Sequence, residues 1–185
     1  MVKSAFRAIV QESGIVSRNG KALVSAPHIH EALKPLFDKY PDLLFDGELY
    51  APKETCDFNK IISCVRKTKP TKDDLEESKQ YIQYWIYDLP SHPGTFEERY
   101  EALFDLRDEL PDCCVIVTTD YIEDKDDLMA FYSMYMAQGY EGQMIRIWDS
   151  EYSNKRSKSL LKHKVFYDHE YAILGYKEGQ GKLKE

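Results

Sequence analysis

Along nearly the whole chain, short stretches rich in β-branched and aromatic residues alternate with longer stretches of helical periodicity. The strand-like stretches are Phe6–Val10, Leu43–Tyr50, Tyr81–Tyr87, Cys114–Thr118, Gln143–Trp148 and Glu170–Tyr176. The helical stretches span residues 28–39, 58–66, 72–80, 96–109 and 124–138. Because the connections vary in length and no internal repeat is present, this pattern predicts an α+β fold with mostly antiparallel sheets.

Single residues indicate where some of the helices begin, bend and end. Thr95 as N-cap, with Glu98 three positions later, predicts a capping box at the start of the fourth helix. Gly139 is placed to end the fifth helix, because glycine tolerates the left-handed conformation that follows many helices. Pro35 lies inside the first helical stretch and predicts a kink there.

The composition is that of an ordinary globular domain and limits its partners. The 185 residues are 43% hydrophobic, and the longest apolar runs are far short of a bilayer span. The four cysteines include no C-x-x-C pair, which disfavours a zinc site and predicts a reducing cytoplasmic or nuclear location. A net charge of -7 disfavours nucleic-acid binding, yet the segment 146–164 is rich in lysine and arginine. One edge of the domain can therefore contact a phosphate backbone, with help from other modules.

Two predicted strands carry charged or aromatic residues where a purely structural strand would not need them. Strand alternation puts Asp46, Glu48 and Tyr50 on one face, as a solvated edge strand would also do. The segment 84–89 is aromatic at most positions and contains Asp88, a pattern that core packing also explains.

Two further segments combine acids and bases. Glu141 and Arg146 lie at either end of a strand that follows a helix stop, and Lys162 and Lys164 point to the same side of an extended chain. Ordinary strands with charged ends would contain the same residues. Together, the four segments supply carboxylates for a divalent metal, cations for phosphates and an aromatic face for a base. These are the groups that nucleotidyl transfer requires.

The order of these segments resembles that in the covalent nucleotidyltransferase superfamily of DNA ligases, RNA ligases and mRNA capping enzymes. The segments that match family motifs are Ser17–Lys21, Asp46–Leu49, Tyr87–Asp88, Glu141–Arg146 and Lys162–Lys164. Ser17–Lys21 and the segment Asp57–Asn59 make the chain most similar to the ATP-dependent DNA ligases. The resemblance implies two antiparallel sheets flanked by helices, an ATP-grasp-like nucleotidyltransferase domain.

The resemblance also implies ATP and Mg²⁺ as cofactors and nicked double-stranded DNA as the partner. Tyr87 would stack on adenine, while Arg7 and Glu48 would hold the ribose. Lys162 and Lys164 would neutralise the α-phosphate and, with Arg7, are the implied catalytic residues. The remaining implied roles are nucleotide binding for Arg146, metal binding for Glu48 and Glu141, and DNA binding for Arg18 and Lys21.

Two parts of the family pattern are missing from this sequence. The family's first motif is Lys-x-Asp-Gly-x-Arg, and aligning its arginine on Arg7 puts Val2 where the nucleophilic lysine belongs. A one-residue slip to Lys3 would point the ammonium to the wrong face of the strand. The oligonucleotide-binding fold is also absent: residues 1–168 resemble the nucleotidyltransferase domain, and 169–185 only the opening strand of the next domain, or a tail. We therefore expect activity to need an upstream segment and an oligonucleotide-binding domain.

The function that these residues predict is that of a DNA ligase adenylation domain, which seals nicks through enzyme–AMP and DNA–adenylate intermediates. One alternative is a degenerate module that holds nucleotide or DNA without catalysis; another is an RNA ligase or guanylyltransferase relative. A covalent label from ATP would indicate the enzyme, and a label from GTP the guanylyltransferase. We expect a monomer in an intracellular setting. A viral or phage origin is compatible with this location.

Overall fold

The computed structural model describes residues 6–52, 58–165 and 170–179 of the chain. The strands are β1 (Phe6–Gln11), β2 (Gly14–Ser17), β3 (Leu44–Tyr50), β4 (Gln83–Asp88), β5 (Cys114–Ile116), β6 (Gln143–Arg146) and β7 (Leu160–His163). The helices are α1 (Pro27–Lys39), α2 (Phe58–Val65), α3 (Lys72–Tyr81), α4 (Phe96–Asp105) and α5 (Lys125–Ala137), with a short 3₁₀ turn at Arg107–Glu109. The predicted α+β class with two sheets is confirmed.

The larger sheet has five strands in the order β2-β1-β3-β4-β5. Its pairs are antiparallel except β4–β5, which are parallel because the connection between them runs through α4. The smaller sheet is the antiparallel pair β6–β7. The α1 helix packs on β1 and β2, and α2 packs on β1 and β3.

Strand alternation divides the larger sheet into a core face and an open face. Tyr84 and Ile86 are fully buried on the core face, while Trp85 and Tyr87 are half-buried on the other face, because successive side chains of a strand point to opposite faces. The Tyr84 hydroxyl donates to the carbonyls of Ala8 and Phe45. Its ring passes so close to Gly47 that a Cβ there would lie 2.8 Å from it and 2.4 Å from the Trp85 carbonyl. Glycine at position 47 therefore allows β3 and β4 to approach each other closely.

The helix boundaries follow local chemistry. Thr95 and Glu98 form the predicted capping box of α4, with the Thr95 N–H donating to Glu98 at 2.7 Å. Gly139 follows α5 with φ +75°, the left-handed conformation that ends a helix at low cost for glycine. The α1 helix continues through Pro35.

The segment 170–179 differs from the prediction, because Glu170–Tyr176 does not form a strand. The side chains of Ile173 and Leu174 are 91% and 97% exposed. A strand needs a neighbour to accept its hydrogen bonds, and the described part of the chain offers none to this segment. None of the described helices is long and apolar enough to cross a bilayer.

Candidate active site

A groove of about 740 Å³ lies between the open face of the larger sheet and the smaller sheet. We call it the central groove. Its volume falls within the range of small-molecule sites, roughly 300–1,000 Å³. Among its lining residues are Arg7 of β1, Asp46, Glu48 and Tyr50 of β3, Trp85, Tyr87 and Asp88 of β4, Arg146 of β6 and Lys162 of β7.

A buried carboxylate organises the floor of the central groove. Asp46 is 1% exposed and accepts hydrogen bonds from Arg7, Tyr87 and Tyr152. Arg7 binds it through two nitrogens, with Nε 2.9 Å from Oδ1 and Nη2 2.5 Å from Oδ2. The side-chain hydrogen bond to Asp46 raises the pKa of Arg7 further, so this guanidinium stays charged. A buried charge paired in this way fixes the orientation of Arg7.

A second buried carboxylate, Asp88, orients two more arginines. The Arg99 Nε donates to Asp88 Oδ1 at 2.7 Å, and Arg146 Nη1 donates to Asp88 Oδ2. The guanidinium of Arg146 also lies 4.2 Å from the ring centroid of Phe96 and 5.8 Å from that of Tyr87. Arg146 is thus held between two aromatic rings at the wall of the central groove.

The carboxylate of Glu48 lines the central groove and makes no hydrogen bond with a described residue. It lies directly across the β1–β3 ladder from Arg7. Burial raises the pKa of Glu48 to about 7, and the nearby charge of Asp46 raises it further in the same direction. A partly desolvated carboxylate without a hydrogen bond is the kind of group that a bound cation or a sugar hydroxyl stabilises.

Five of the nine predicted site residues line the central groove, and four lie outside it. Arg7, Glu48 and Tyr87 lie on the larger sheet, and Arg146 and Lys162 lie on the smaller sheet. Lys162 is exposed on β7, opposite Met144 of β6.

Glu141 and Lys164 do not line the central groove. They lie beyond the Gln143–His163 end of the β6–β7 hairpin, where a Cβ at Gly142 would be 2.9 Å from Lys164 Cβ. The described residues contain no cluster of three or more potential metal ligands. The proposed metal role of Glu141 therefore rests on the order of the motifs.

Arg18 and Lys21 lie on the turn that follows β2, away from the central groove. The turn is closed by two backbone hydrogen bonds, Gly20 N–H to Ser17 O and Ser17 N–H to Lys21 O, both 2.8 Å. Both basic side chains are exposed. Three positions singled out in the sequence lie outside the described residues. They are Val2, which stands where the family has its nucleophilic lysine, the alternative Lys3, and Asp57 of the segment Asp57–Asn59.

The sequence did not reveal that Asp46, Asp88, Arg99 and Tyr152 hold the site residues in place. Asp46 and Asp88 fall within the motifs. The motifs do not show, however, that both carboxylates are buried beside arginines. Arg99 and Tyr152 act across 11 and 106 residues of sequence, respectively, so only the fold brings them to their partners.

The structure resembles those of DNA ligases. A solved structure of a Lig E DNA ligase superimposes with a TM-score of 0.75 at 24% identity, covering 99% of this chain and 67% of that one. At this identity the likeness defines the fold, that of a DNA ligase nucleotidyltransferase domain.

Sequence comparisons identify the family. The model of the ATP-dependent DNA ligase domain matches residues 6–164, so the chain belongs to this family. The DNA ligase of Haemophilus influenzae is 26% identical over 168 residues, covering 90% of this chain and 60% of that protein. The DNA ligase of Enterobacteria phage T4 is 26% identical over 152 residues, covering 78% of this chain and 31% of that protein. The chain thus spans between about a third and three fifths of these relatives.

Proposed function

We propose that this chain binds ATP in the central groove, as the adenylation domain of an ATP-dependent DNA ligase that acts on nicked DNA. One observation carries the proposal. Glu48, Tyr87 and Lys162 come from three separate segments, and all three line the same groove. Family membership predicts this convergence, whereas solvated edge strands and core packing do not require it.

The adenosine would lie on the floor of the groove. Tyr87 presents a half-buried ring to the groove, so an adenine can stack on it. Arg7 and Glu48 are neighbours across the β1–β3 ladder and together offer a hydrogen-bond donor and an acceptor to the ribose.

The phosphates would extend towards the smaller sheet. Lys162 there supplies an exposed ammonium, and Arg146 supplies a guanidinium whose orientation Asp88 fixes. Mg²⁺ keeps several waters and commonly binds through one or two carboxylates and the nucleotide phosphates. Glu48 fits this requirement, and a bound ion would neutralise phosphate charge there. Roles for Lys164 and Glu141 at the phosphates and the metal remain proposals from motif order.

Arg18 and Lys21 would contact the nicked DNA. Their turn projects two exposed cations from the end of β2, which suits contact with a phosphate backbone. The residues that match the family's nucleophile motif, apart from Phe6 and Arg7, lie outside the described part of the chain. A module that binds nucleotide without transferring it is therefore the second candidate, favoured by Val2 at the nucleophile's position.

Calorimetric titration with ATP and Mg²⁺ tests the proposal. We expect Lys162→Ala to weaken ATP binding roughly tenfold, because a charge-assisted contact with phosphate is lost. The same variant should bind adenosine as the wild type does, since adenosine has no phosphate.

Lys158→Ala is the matched control, because Lys158 is exposed on the connection that leads into β7 but does not line the groove. Equal losses in the two lysine variants would indicate a general effect of charge and contradict the assignment of the phosphate site. Absence of ATP binding by the wild type would contradict the proposed function itself.

A further inference from the structure

Tyr152 joins the connection between β6 and β7 to the floor of the central groove. Its hydroxyl donates to Asp46 Oδ2 at 2.9 Å and accepts from Arg7 Nη2 at 3.2 Å. The two partners lie on β3 and β1, far from Tyr152 in sequence. The residue belongs to none of the motifs that the family resemblance assigns.

The connection that carries Tyr152 is fixed by the beginning of α4. The Trp148 carbonyl accepts from the Glu97 N–H at 3.0 Å, and the Ser150 carbonyl accepts from Arg99 Nη1 at 3.3 Å. Glu151 forms an isolated β-bridge with Thr95. These contacts immediately precede Tyr152, so its hydroxyl reaches Asp46 from a backbone that is already held in place.

Arg7 is constrained on one edge and available on the other. Its Nε and Nη2 bind Asp46, and Nη2 also contacts Tyr152. Nη1 makes no hydrogen bond with any described residue, although the side chain is 23% exposed and lines the groove. A ligand in the groove can therefore use Nη1 while the rest of the guanidinium keeps its orientation.

We propose that Tyr152 is a positioning residue, which orients Arg7 through Asp46 so that Nη1 can bind the ribose of the nucleotide. This inference rests on the proposed function, because it assumes that a nucleotide occupies the groove. The oxygens of Asp46 each accept one arginine N–H and one tyrosine O–H. Removing the Tyr152 hydroxyl leaves Oδ2 with one donor and Nη2 with one acceptor, which loosens the guanidinium.

Burial and the charge of Asp46 raise the pKa of Tyr152, so the phenol remains a donor throughout the physiological pH range.

The experiment compares Tyr152→Phe with wild type in binding ATP and 2′,3′-dideoxy-ATP, both with Mg²⁺. The variant keeps the ring and loses only the hydroxyl. We expect about three- to tenfold weaker binding of ATP, the equivalent of one lost hydrogen bond. We expect a change of less than about twofold for 2′,3′-dideoxy-ATP, because it lacks the hydroxyls that Arg7 would bind. A purely structural effect of the substitution would weaken both ligands equally.

Tyr100→Phe is the matched control. Like Tyr152, Tyr100 is a half-buried tyrosine, but it does not line the central groove. Its hydroxyl contacts the backbone and accepts from the Thr119 N–H at 3.1 Å. Its removal should leave the ratio of ATP to dideoxy-ATP affinity unchanged. An unchanged ATP affinity in Tyr152→Phe, or equal losses for both nucleotides, would overturn the inference while leaving the proposed function intact. Failure of the wild type to bind ATP would overturn both.

Discussion

Two carboxylates separated by a single residue on β3 have opposite surroundings. Asp46 is buried and satisfied by hydrogen bonds from one arginine and two tyrosines. Glu48 faces the central groove without a described hydrogen-bond partner, and its pKa is raised to about 7 by burial first and by Asp46 second. Glu48 is therefore a destabilising group at neutral pH, and a ligand or metal in the groove would relieve this cost.

The Glu48 carboxyl should make the stability of the protein depend on pH. Its pKa is about 7 in the folded protein and 4.5 in the unfolded chain, so the folded state holds its proton more tightly. Stability should then fall as pH rises from 4.5 to 7 and stay level above that range. We expect Glu48→Gln to raise the free energy of unfolding by up to about 3 kcal/mol at pH 8 and by little at pH 4.

Chemical denaturation of Glu48→Gln and wild type at several pH values measures this difference. Glu12→Gln is the control, because Glu12 is exposed and lies outside the groove. If the effect of Glu48→Gln on the free energy of unfolding varied with pH no more than that of Glu12→Gln, Glu48 would not be the desolvated carboxyl described here.

At the scale of elements, Arg99 connects α4 to β4 of the larger sheet and to the connection between β6 and β7. Its side chain is 2% exposed and binds Asp88 of β4, the Gly94 carbonyl and the Ser150 carbonyl. Because Asp88 also binds Arg146, the position of α4 and the wall of the groove depend on one carboxylate. Removing Arg99 would leave Asp88 with Arg146 as its remaining cation, and would also take the Arg99 donor away from the Gly94 and Ser150 carbonyls.

Arg99→Met should therefore destabilise the domain by about 1.5–3 kcal/mol, the cost of losing buried hydrogen bonds to a charged group, with a corresponding fall in the denaturation midpoint. Arg107→Met is the comparison, since Arg107 pairs with Asp108 at the surface. That pair should contribute less than about 1 kcal/mol. Similar losses in the two variants would contradict the anchoring role of Arg99.

Local chemistry made much of the element structure predictable from the sequence. The capping box at Thr95 and the stop at Gly139 depend on residues within four positions of each other, and both are present. The short strand β2 was missed, because four residues, Gly14–Ser17, give too little alternation. The prediction of a strand at Glu170–Tyr176 was wrong. The segment has the residue pattern of a strand, but no described neighbour pairs with it.

For the site, the sequence could predict some of the residues that face the groove but not what holds them. Strand alternation put Glu48 on the face that lines the groove, and the family resemblance pointed to Tyr87. The Tyr152–Asp46 contact spans 106 residues and depends on how the smaller sheet's connection folds back, which no local pattern encodes. The same limit explains why Glu141 and Lys164 were expected in the groove and lie beyond the hairpin end instead.

At the scale of the whole molecule, the distribution of charge bears on the proposed binding of nicked DNA. The net charge is -7, while basic residues concentrate in the segment 146–164 and in the turn with Arg18 and Lys21. We expect weak binding to nicked DNA that falls at least about tenfold between roughly 50 and 200 mM salt, since even a few released counterions produce such a change.

Arg18→Ala should reduce the salt slope of nicked-DNA binding by about one, the effect of losing one phosphate contact. Arg107→Ala, which removes an equal charge away from the turn, should leave the slope unchanged. Fluorescence anisotropy across a salt series measures both. Comparable affinities at the two salt concentrations would contradict an electrostatic DNA interface.

The central claim is that the groove holds the base of ATP against Tyr87, and ATP titration of two variants tests it most directly. Tyr87→Phe keeps the ring and loses the 3.1 Å hydrogen bond to Asp46, whereas Tyr87→Ala loses both. The comparison of the two variants therefore isolates the ring. We expect Tyr87→Ala to bind ATP about five- to 150-fold more weakly than Tyr87→Phe, the equivalent of about 1–3 kcal/mol of base stacking. Equal ATP affinities in the two variants, with only the melting temperature lowered in Tyr87→Ala, would make Tyr87 a packing residue and contradict the nucleotide site.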